Sequence, residues 1–286
     1  MTDHPRPVPD WFHFVFGLKP QTEPFHLIFY LCLKSCLDVN RPRRIIFHYH
    51  HPPYGEWWDR IKPHLELRRI ELEPLITDST RYDDHNEGRV IRLLDLTYAH
   101  QADFLRLKIL LEEGGVYADI DSLFVRPYPP SWYESDFLIG EEAPVPDEHG
   151  RLRPSLCNAL MFSRPASRFA RRWLALSYEE FDGSWSRHSG SAAAKVREQM
   201  PDEVRVVAPE HCYRFMWTRR GLTELFLETN NDLEAVYSIH LWAHLWWDAD
   251  RVDFIPLHAG SFTPTYIRSV DTTYNLLARR YLPEDI

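Results

Sequence analysis

Residues 99–128 read AHQADFLRLKILLEEGGVYADIDSLFVRPY and predict a helix, a break at two glycines and a strand. At about 100° per residue, the polar side chains of Ala99–Glu113 cluster on one side of a helix and the apolar side chains cover the rest. Gly114 and Gly115 end this helix, because glycine readily adopts the conformation found just past a helix C-terminus. The strand that follows is expected to join the central sheet.

Two features of this unit require a functional explanation. Asp103 and Arg106 fall inside the apolar arc of the helix, where a charged pair is costly to desolvate. Tyr117, Asp119 and Asp121 are expected on one face of the strand, because strand side chains alternate. Two neighbouring carboxylates repel each other unless a proton or a cation lies between them. The strand therefore predicts a metal site.

Composition limits the class of protein. A chain of 286 residues lies near the upper limit for one hydrophobic core, and we expect a single domain over residues 1–286. A net charge of −9 argues against a general nucleic-acid binder. The chain has 10 Trp, 14 Tyr and 16 Phe, and we interpret them mainly as core residues and less as residues that stack on a sugar or a base. The four cysteines include no C-x-x-C pair, which disfavours a disulfide framework.

The beginning of the chain carries no apolar targeting segment. Its first residues, MTDHPRPVPDW, lack the apolar region of a signal peptide. Pro24–Leu33 is apolar but too short to cross a bilayer, which takes about 20 residues. We expect a cytoplasmic protein, and the sequence leaves peripheral membrane contact open.

The elements alternate in the manner of an α/β protein. Strands are expected at Trp11–Phe16, Arg43–His50 and Leu67–Leu75, with helices at Glu23–Asn40 and Tyr54–Leu65 and a loop at Thr77–Arg89. This order predicts a Rossmann-like, mostly parallel sheet, and ligands bind at the carboxyl ends of the strands of such sheets. Further along we expect strands at Phe137–Gly140, Leu156–Phe162 and Val204–Ala208, helices at Ala166–Phe181 and Ser189–Met200, and a strand followed by a turn in Ala235–Trp247.

The spacing A-x3-D-x2-R-x3-L-x3-GG-x-Y-x-D-x-D resembles a glycosyltransferase family. It is met by Ala99, Asp103, Arg106, Leu110, Gly114-Gly115, Tyr117, Asp119 and Asp121. The family is that of the DXD-containing retaining enzymes, which includes α-1,6-mannosyltransferases, α-1,4-galactosyltransferases and clostridial glucosylating toxins. Val8-Pro9 and the segment from His13 to Gly17 resemble its opening strand, and the residues from Ile239 to Trp242 resemble its closing H-x-W element.

The resemblance implies a GT-A fold, in which helices flank one Rossmann-like sheet, here with C-terminal elaborations. Residues 1–128 would form the nucleotide-sugar-binding half, and residues 129–286 the acceptor side and the segment closing over the metal and diphosphate. Asp103 and Arg106 would hold hydroxyls of the donor sugar, with Arg106 also near phosphate. Asp121 would ligate Mn²⁺ or Mg²⁺, ions that suit oxygen ligands.

The resemblance also implies roles for residues outside the helix. Asp119 would contact the ribose or sugar and belong to the metal site, and Tyr117 would lie beside it in the nucleotide-sugar site. His240 would reach the metal or the diphosphate, and Trp242 would close over the donor. The remaining roles are carried by residues in other strands: Phe16 and Gly17 beside the base, Asn158 beside the reacting centre, and either Glu141 or Glu142 lining the site.

The expected activity is transfer of a hexose from a nucleotide sugar, with UDP-hexose favoured over GDP-mannose, to a hydroxyl group. The acceptor would be a glycan, a lipid-linked glycan or a small molecule. No carboxylate is marked as a nucleophile by its spacing, which favours front-face displacement.

Other interpretations stay open. Asp103 and Arg106 would also suit a structural ion pair, and Asp119 and Asp121 two solvated acids at a strand end. A D-x-D strand also occurs in phosphohydrolases that form an aspartyl phosphate, for which Asp248 and Asp250 are the late acidic candidates. A third alternative is a binding module without turnover. His48 and His50 are interpreted as surface or packing residues, and Trp246 and Trp247 as either core or acceptor platform.

Overall fold

The fold is described by a computed structural model over residues 8–73, 97–146, 150–251 and 253–286. Its strands are β1 Trp11–Phe16, β2 Arg44–Tyr49, β3 Glu66–Arg69, β4 Gly115–Ala118, β5 Ser122–Phe124, β6 Phe137–Pro146, β7 Leu152–Ser163, β8 Arg205–Val207 and β9 Ser238–His240. Seven of them form one sheet in the order β3-β2-β1-β4-β7-β6-β8, and β5 pairs with β9 in a small second sheet.

The large sheet is mostly parallel, as expected. Strands β3, β2, β1 and β4 pair in parallel, β8 pairs in parallel with β6, and only β7 among the described strands of this sheet runs against its neighbours. His13 lies opposite Tyr117 in the β1–β4 pairing. The carboxyl ends of β1 and β4 therefore meet at one edge, which is where the site is built.

The helices pack around this sheet. They are α1 Leu27–Asn40, α2 Glu56–Ile61, α3 Thr97–Glu113, α4 Arg168–Glu180, α5 Ala192–Gln199, α6 Pro209–Cys212, α7 Arg219–Phe226, α8 Pro264–Ser269 and α9 Thr273–Ala278. Several begin at a side chain that accepts from a backbone N–H of the first turn: His26, Ser167, Thr218, Thr263 and Thr272. No helix among the described residues is long and apolar enough to cross a membrane.

Several expected boundaries are wrong. The strand expected at Leu67–Leu75 is β3, which ends at Arg69, and residues 74–75 and the loop Thr77–Arg89 lie outside the described residues. Strands β6 and β7 extend beyond Phe137–Gly140 and Leu156–Phe162, because the two pair with each other as a long antiparallel ladder. In the C-terminal region, strand β9 is followed by a 3₁₀ turn at Ala243–Leu245, as expected.

The expected strand through Asp119 and Asp121 is also wrong. Strand β4 ends at Ala118 and β5 begins at Ser122, so both acids lie in the turn between them. The Ser122 N–H donates to the Asp119 carbonyl at 3.0 Å and closes this turn. The two carboxylates are therefore brought together by the turn, not by strand alternation.

The two glycines between α3 and β4 have backbone conformations that favour glycine. Gly114 has φ 70° and Gly115 φ 101°. A Cβ on Gly114 would lie 2.7 Å from the Pro165 nitrogen, and one on Gly115 would lie 2.7 Å from the Trp11 carbonyl oxygen. The helix thus ends and the chain re-enters the sheet within two residues, so α3 and the DXD turn approach the same edge.

Two histidines lie in the core beside this break. His13 and His48 are buried. His13 Nε2 donates to the Gly114 carbonyl at 3.0 Å, so its Nδ1 accepts from His48 Nε2 at 3.1 Å and both rings are neutral. His50 binds the Ile70 carbonyl at 2.9 Å. These contacts confirm the packing interpretation of His48 and His50.

We expect this histidine pair to make stability fall with acid. Burial lowers the pKa of His13 to about 4 and of His48 to about 3, from an ordinary value of 6.5. As the pH falls, the unfolded chain therefore binds protons at these histidines before the folded chain does. The contribution of the pair to the free energy of unfolding is complete above about pH 6.5 and is lost as the pH falls toward 4. Replacing His48→Gln removes one such proton, and the dependence of unfolding free energy on pH becomes shallower by about 1.4 kcal/mol per pH unit.

Urea denaturation at about pH 7 and about pH 5 measures this difference. His64→Gln, at an exposed position, is the control and should keep the wild-type slope. Equal slopes in wild type and His48→Gln would contradict the assignment of His48 as a buried neutral ring.

Candidate active site

The DXD turn is anchored on two sides. The Asp119 N–H donates to the Ala159 carbonyl of β7 at 2.8 Å. Strand β5 then pairs antiparallel with β9, with Ser122 opposite His240. This register places His240 next to Asp121, although the two residues are far apart in the chain.

Asp119, Asp121 and His240 form a compact cluster of metal-ligand types, with one ligand atom of each within 4.8 Å of the others. His240 Nε2 lies 3.1 Å from Asp121 Oδ1 and 3.8 Å from Asp119 Oδ2. The Ala243 N–H donates to Asp121 Oδ2 at 2.8 Å. His240 Nδ1 is buried without a hydrogen-bond partner among the described residues. The Nε2 side of the ring thus faces the carboxylates.

The charged groups of this cluster shift one another's pKa. Burial disfavours the Asp121 carboxylate, but His240 and the Ala243 N–H outweigh it and hold its pKa at about 2. Burial also disfavours a charged His240, yet Asp121 and Asp119 raise the pKa of its ring. For Asp119, burial outweighs Arg106 and the pKa is raised. Two neighbouring carboxylates, Asp121 buried and Asp119 partly exposed, repel each other, and a divalent cation would relieve this repulsion.

Arg106 links α3 to the DXD turn. Its guanidinium is buried, 3.0 Å from Asp119 Oδ1 and 3.4 Å from Asp103 Oδ1. It also donates to the Ala102 carbonyl and, at 2.9 Å, to the Asn158 carbonyl, and it lies over the Tyr117 ring at 4.7 Å from the centroid. The Asp103–Arg106 pair is therefore part of a network shared with the DXD turn, and not an isolated helix ion pair.

Asp103 and Asp119 are each held by a neighbouring side chain. Asn158 Nδ2 donates to Asp103 Oδ1 at 2.6 Å, and the Tyr117 hydroxyl donates to Asp119 Oδ1 at 2.8 Å. Tyr117 is buried, whereas 15% of the Asp103 side chain and 23% of the Asp119 side chain are exposed. The two carboxylates are thus the parts of this network that a ligand can reach.

Trp242 lies against the cluster. Its ring centroid is 4.1 Å from that of His240, and its Nε1–H donates to the Phe215 carbonyl at 2.8 Å. Its φ of 54° is positive, an unusual conformation for a bulky residue that is maintained by the surrounding contacts. Trp242 therefore holds the His240 ring in place.

Phe16 and Gly17 end β1 at the same edge of the sheet. Phe16 packs among Phe25, Phe29 and Phe47. Gly17 has φ 69°, and its backbone approaches the His51 carbonyl too closely for a Cβ. The structure thus explains both residues by local packing. Trp246 is fully buried in the core. Trp247 is partly buried and stacks on Phe29, with the ring centroids 4.6 Å apart.

Of the two glutamates in β6, Glu142 faces the site. The Ser155 hydroxyl donates to Glu142 Oε1 at 2.6 Å. Burial raises the pKa of this carboxyl, while Ser155 and the charge of nearby His240 oppose the shift. These interactions favour Glu142 over Glu141, and the residue that lines the site stays a prediction.

Sequence reasoning missed three contributors. They are His188, whose Nε2 lies 2.9 Å from Asp103 Oδ2, Ser155, and the backbone N–H of Ala243. A backbone donor leaves no signal in a sequence. His188 and Ser155 belong to none of the spacing patterns described above, so they have no signal in the sequence either.

The chain is similar to several known proteins. Residues 34–138 match a family model described as the glycosyltransferase sugar-binding region containing the DXD motif. Glucan organizing enzyme 1 of Cryptococcus neoformans var. grubii serotype A (strain H99) is 33% identical over 290 residues, covering 97% of this chain and 72% of that protein. Two solved structures are more distant. Galactosyltransferase LgtC, in complex with donor and acceptor sugar analogues, has 14% identity and TM-score 0.46 over 96% of this chain and 98% of its own. The PaToxG glycosyltransferase has 14% identity and TM-score 0.43 over 69% and 72%.

The mostly parallel α/β sheet and the match to the DXD-containing sugar-binding region identify the chain as a glycosyltransferase. The chain belongs to the family of glycosyltransferases whose sugar-binding region contains the DXD motif.

Proposed function

We propose that this chain transfers a hexose from a nucleotide sugar, with UDP-hexose favoured, to a hydroxyl acceptor in a metal-dependent reaction that retains the configuration of the sugar. One observation carries the proposal. The Asp119–Asp121–His240 cluster and the Asp103–Arg106 pair are joined by the 3.0 Å ion pair of Arg106 and Asp119. Candidate ligands for a cation and for sugar hydroxyls thus lie side by side.

The residues of the cluster fit a divalent cation. Two carboxylate oxygens and an imidazole nitrogen are ligands that Mn²⁺ accepts, and Mg²⁺ accepts the carboxylates. Asp119, Asp121 and His240 would hold the ion. When bound, such an ion neutralises charge that develops on the departing diphosphate.

The other residues orient these groups. Ala243 and His240 fix the Asp121 carboxylate, and Tyr117 orients Asp119. Asp103 accepts hydrogen bonds from sugar hydroxyls. Arg106, at a fixed distance from both acids, stabilises charge on the phosphate side.

We propose front-face displacement for the chemical step. The bond between the anomeric carbon and the phosphate oxygen breaks, and the acceptor oxygen forms its bond on the same face. The acceptor proton passes to the departing phosphate. No carboxylate is marked as a nucleophile by its spacing in the sequence, which supports this route over a covalent intermediate. Asn158 lies beside the reacting centre.

The acceptor is proposed to be a glycan. The relative at 33% identity is named a glucan organizing enzyme, which supports a polysaccharide or glycoconjugate over a small metabolite. Phe16 and Gly17 are proposed to border the nucleoside, and Trp242 to border the donor. The single-domain organisation, the cytoplasmic location and the peripheral membrane contact stay predictions.

A panel of nucleotide sugars tests the proposal. We expect Mn²⁺-dependent release of UDP from at least one UDP-hexose, and loss of that activity in excess EDTA that is restored by added Mn²⁺. NMR of the transferred sugar should show the donor's anomeric configuration. No release from any UDP- or GDP-hexose with Mn²⁺ or Mg²⁺ would contradict the proposal.

The same assay separates the alternatives. Hydrolysis of p-nitrophenyl phosphate, without turnover of nucleotide sugars, would indicate the aspartyl-phosphate mechanism. Its late acidic candidates Asp248 and Asp250 are exposed, which disfavours it. Binding of a nucleotide sugar without hydrolysis or transfer would indicate a binding module.

A further inference from the structure

His188 is a buried residue that neither the sequence motifs nor the proposed mechanism uses. It lies in an irregular turn, Arg187–Ser191, where Ser189 departs from helical geometry with φ −99° and ψ −105°. Its side chain is 0% exposed, and its Nε2 contacts Asp103 Oδ2 at 2.9 Å. A carboxylate oxygen at this distance accepts from Nε2–H, which fixes the proton on that nitrogen.

The ring of His188 is held on several sides. It stacks on Phe104 at 5.5 Å with an interplanar angle of 9°, and the rings of His100 and Phe181 meet it edge-on at 5.0 and 4.9 Å. The backbone of the same residue is tied to α4, because its carbonyl accepts from the Ser177 hydroxyl at 2.7 Å and from Trp173 Nε1 at 3.4 Å. His188 is therefore a rigid donor, and a rigid donor fixes its acceptor.

The acceptor, Asp103, is held from two directions. Asn158 on β7 donates to Oδ1 at 2.6 Å, and His188 donates to Oδ2. Despite the cost of burial, Arg106 and His188 keep the pKa of Asp103 below its ordinary value. Oδ1 is also 3.4 Å from the Arg106 guanidinium, whereas Oδ2 accepts only from His188 among the described contacts. The second lone pair of Oδ2 is therefore an acceptor position with a fixed direction.

We infer that His188 is a positioning residue for the donor sugar, which it affects by fixing the Asp103 carboxylate. The inference rests on the proposed function, in which Asp103 binds sugar hydroxyls. It assigns a role to the turn at residues 187–191, which connects α4 to the sugar side of the site. The nucleotide and metal side, around Asp121 and His240, has no part in this contact.

Binding measurements on His188 variants test this role. With Mn²⁺ present, we expect His188→Leu to weaken binding of the UDP-hexose identified by the panel about tenfold, because a hydrogen bond to a charged group is lost. Affinity for UDP alone should stay at the wild-type value. In His188→Gln, the side-chain amide nitrogen lies near the position of Nε2, and it should recover most of the loss.

The control is His100→Leu, which alters the same aromatic group and leaves the Asp103 contact in place. Its affinity for the nucleotide sugar should be near wild type. Should His188→Leu fail to fold, as judged by loss of UDP binding and of the thermal transition, His188→Asn replaces it, since its shorter amide does not reach Asp103.

Three results would overturn the inference: wild-type affinity of His188→Leu for the nucleotide sugar, an equal loss for the sugar and for UDP, or an equal loss in His100→Leu. Failure of the proposed function looks different. In that case the wild-type protein itself binds no nucleotide sugar, whatever residue occupies position 188.

Discussion

Replacing Asp121→Asn is expected to lower Mn²⁺-dependent turnover of the nucleotide sugar by about 100- to 1000-fold. Asp121 is 7% exposed, and its two oxygens contact His240 and the Ala243 N–H. Asparagine has nearly the same shape but no charge, so the fold is retained while the cation loses an anionic ligand. Steady-state rates over a range of Mn²⁺ concentrations should show a reduced rate and a higher Mn²⁺ requirement.

Asp248→Asn is the matched control for this variant. Asp248 is exposed and lies a few residues beyond His240, so the glycosyltransferase interpretation expects wild-type activity from it. The phosphohydrolase interpretation expects the opposite, because Asp248 is then one of the late catalytic acids. Activity of Asp121→Asn above about a third of wild type would rule out a central role for this ligand.

The second large effect is expected on stability. Replacing Arg106→Met should lower the free energy of unfolding by about 3–5 kcal/mol, because it leaves two largely desolvated carboxylates without their partner. Arg106 is 6% exposed and contacts both Asp103 and Asp119. Methionine fills much of the same volume, so the loss reports on charge more than on packing. Denaturant unfolding at neutral pH measures it.

Arg168→Met provides the comparison. Arg168 pairs with Glu203 at 2.6 Å, but 75% of its side chain is exposed, and such pairs contribute at most about 1 kcal/mol. A loss below about 1 kcal/mol in Arg106→Met as well would mean that solvent reaches the network and that the desolvation argument is wrong.

The helix, the glycine break and the parallel half of the sheet could be predicted because their signals are local. Periodicity marks α3, positive-φ glycines follow its end, and the apolar run in β1 is typical of a buried strand. The spacing from Asp103 to Asp121 also identified the sugar-binding region before any coordinates. These properties depend on residues within about one supersecondary unit of each other.

The error at Asp119 and Asp121 has a physical cause. Strand alternation would extend β4 through both acids, but the β4–β7 register ends at Ala118, and the Asp119 N–H makes one more hydrogen bond to β7 before the chain turns. From Ser122 onward the chain pairs with β9. The length of a strand depends on its hydrogen-bonding partners, and these partners come from residues more than a hundred positions away.

The sequence by itself determined the α/β class, the family and the acids on α3 and in the DXD turn, because each depends on short-range pattern and spacing. Only the tertiary structure decided which distant residues join these acids in the site. It placed His240 against Asp121 through the β5–β9 register, bound Ser155 to Glu142 and brought His188 to Asp103 across 85 residues. Such contacts require closure of long loops, and no local periodicity encodes which groups meet when the loops close.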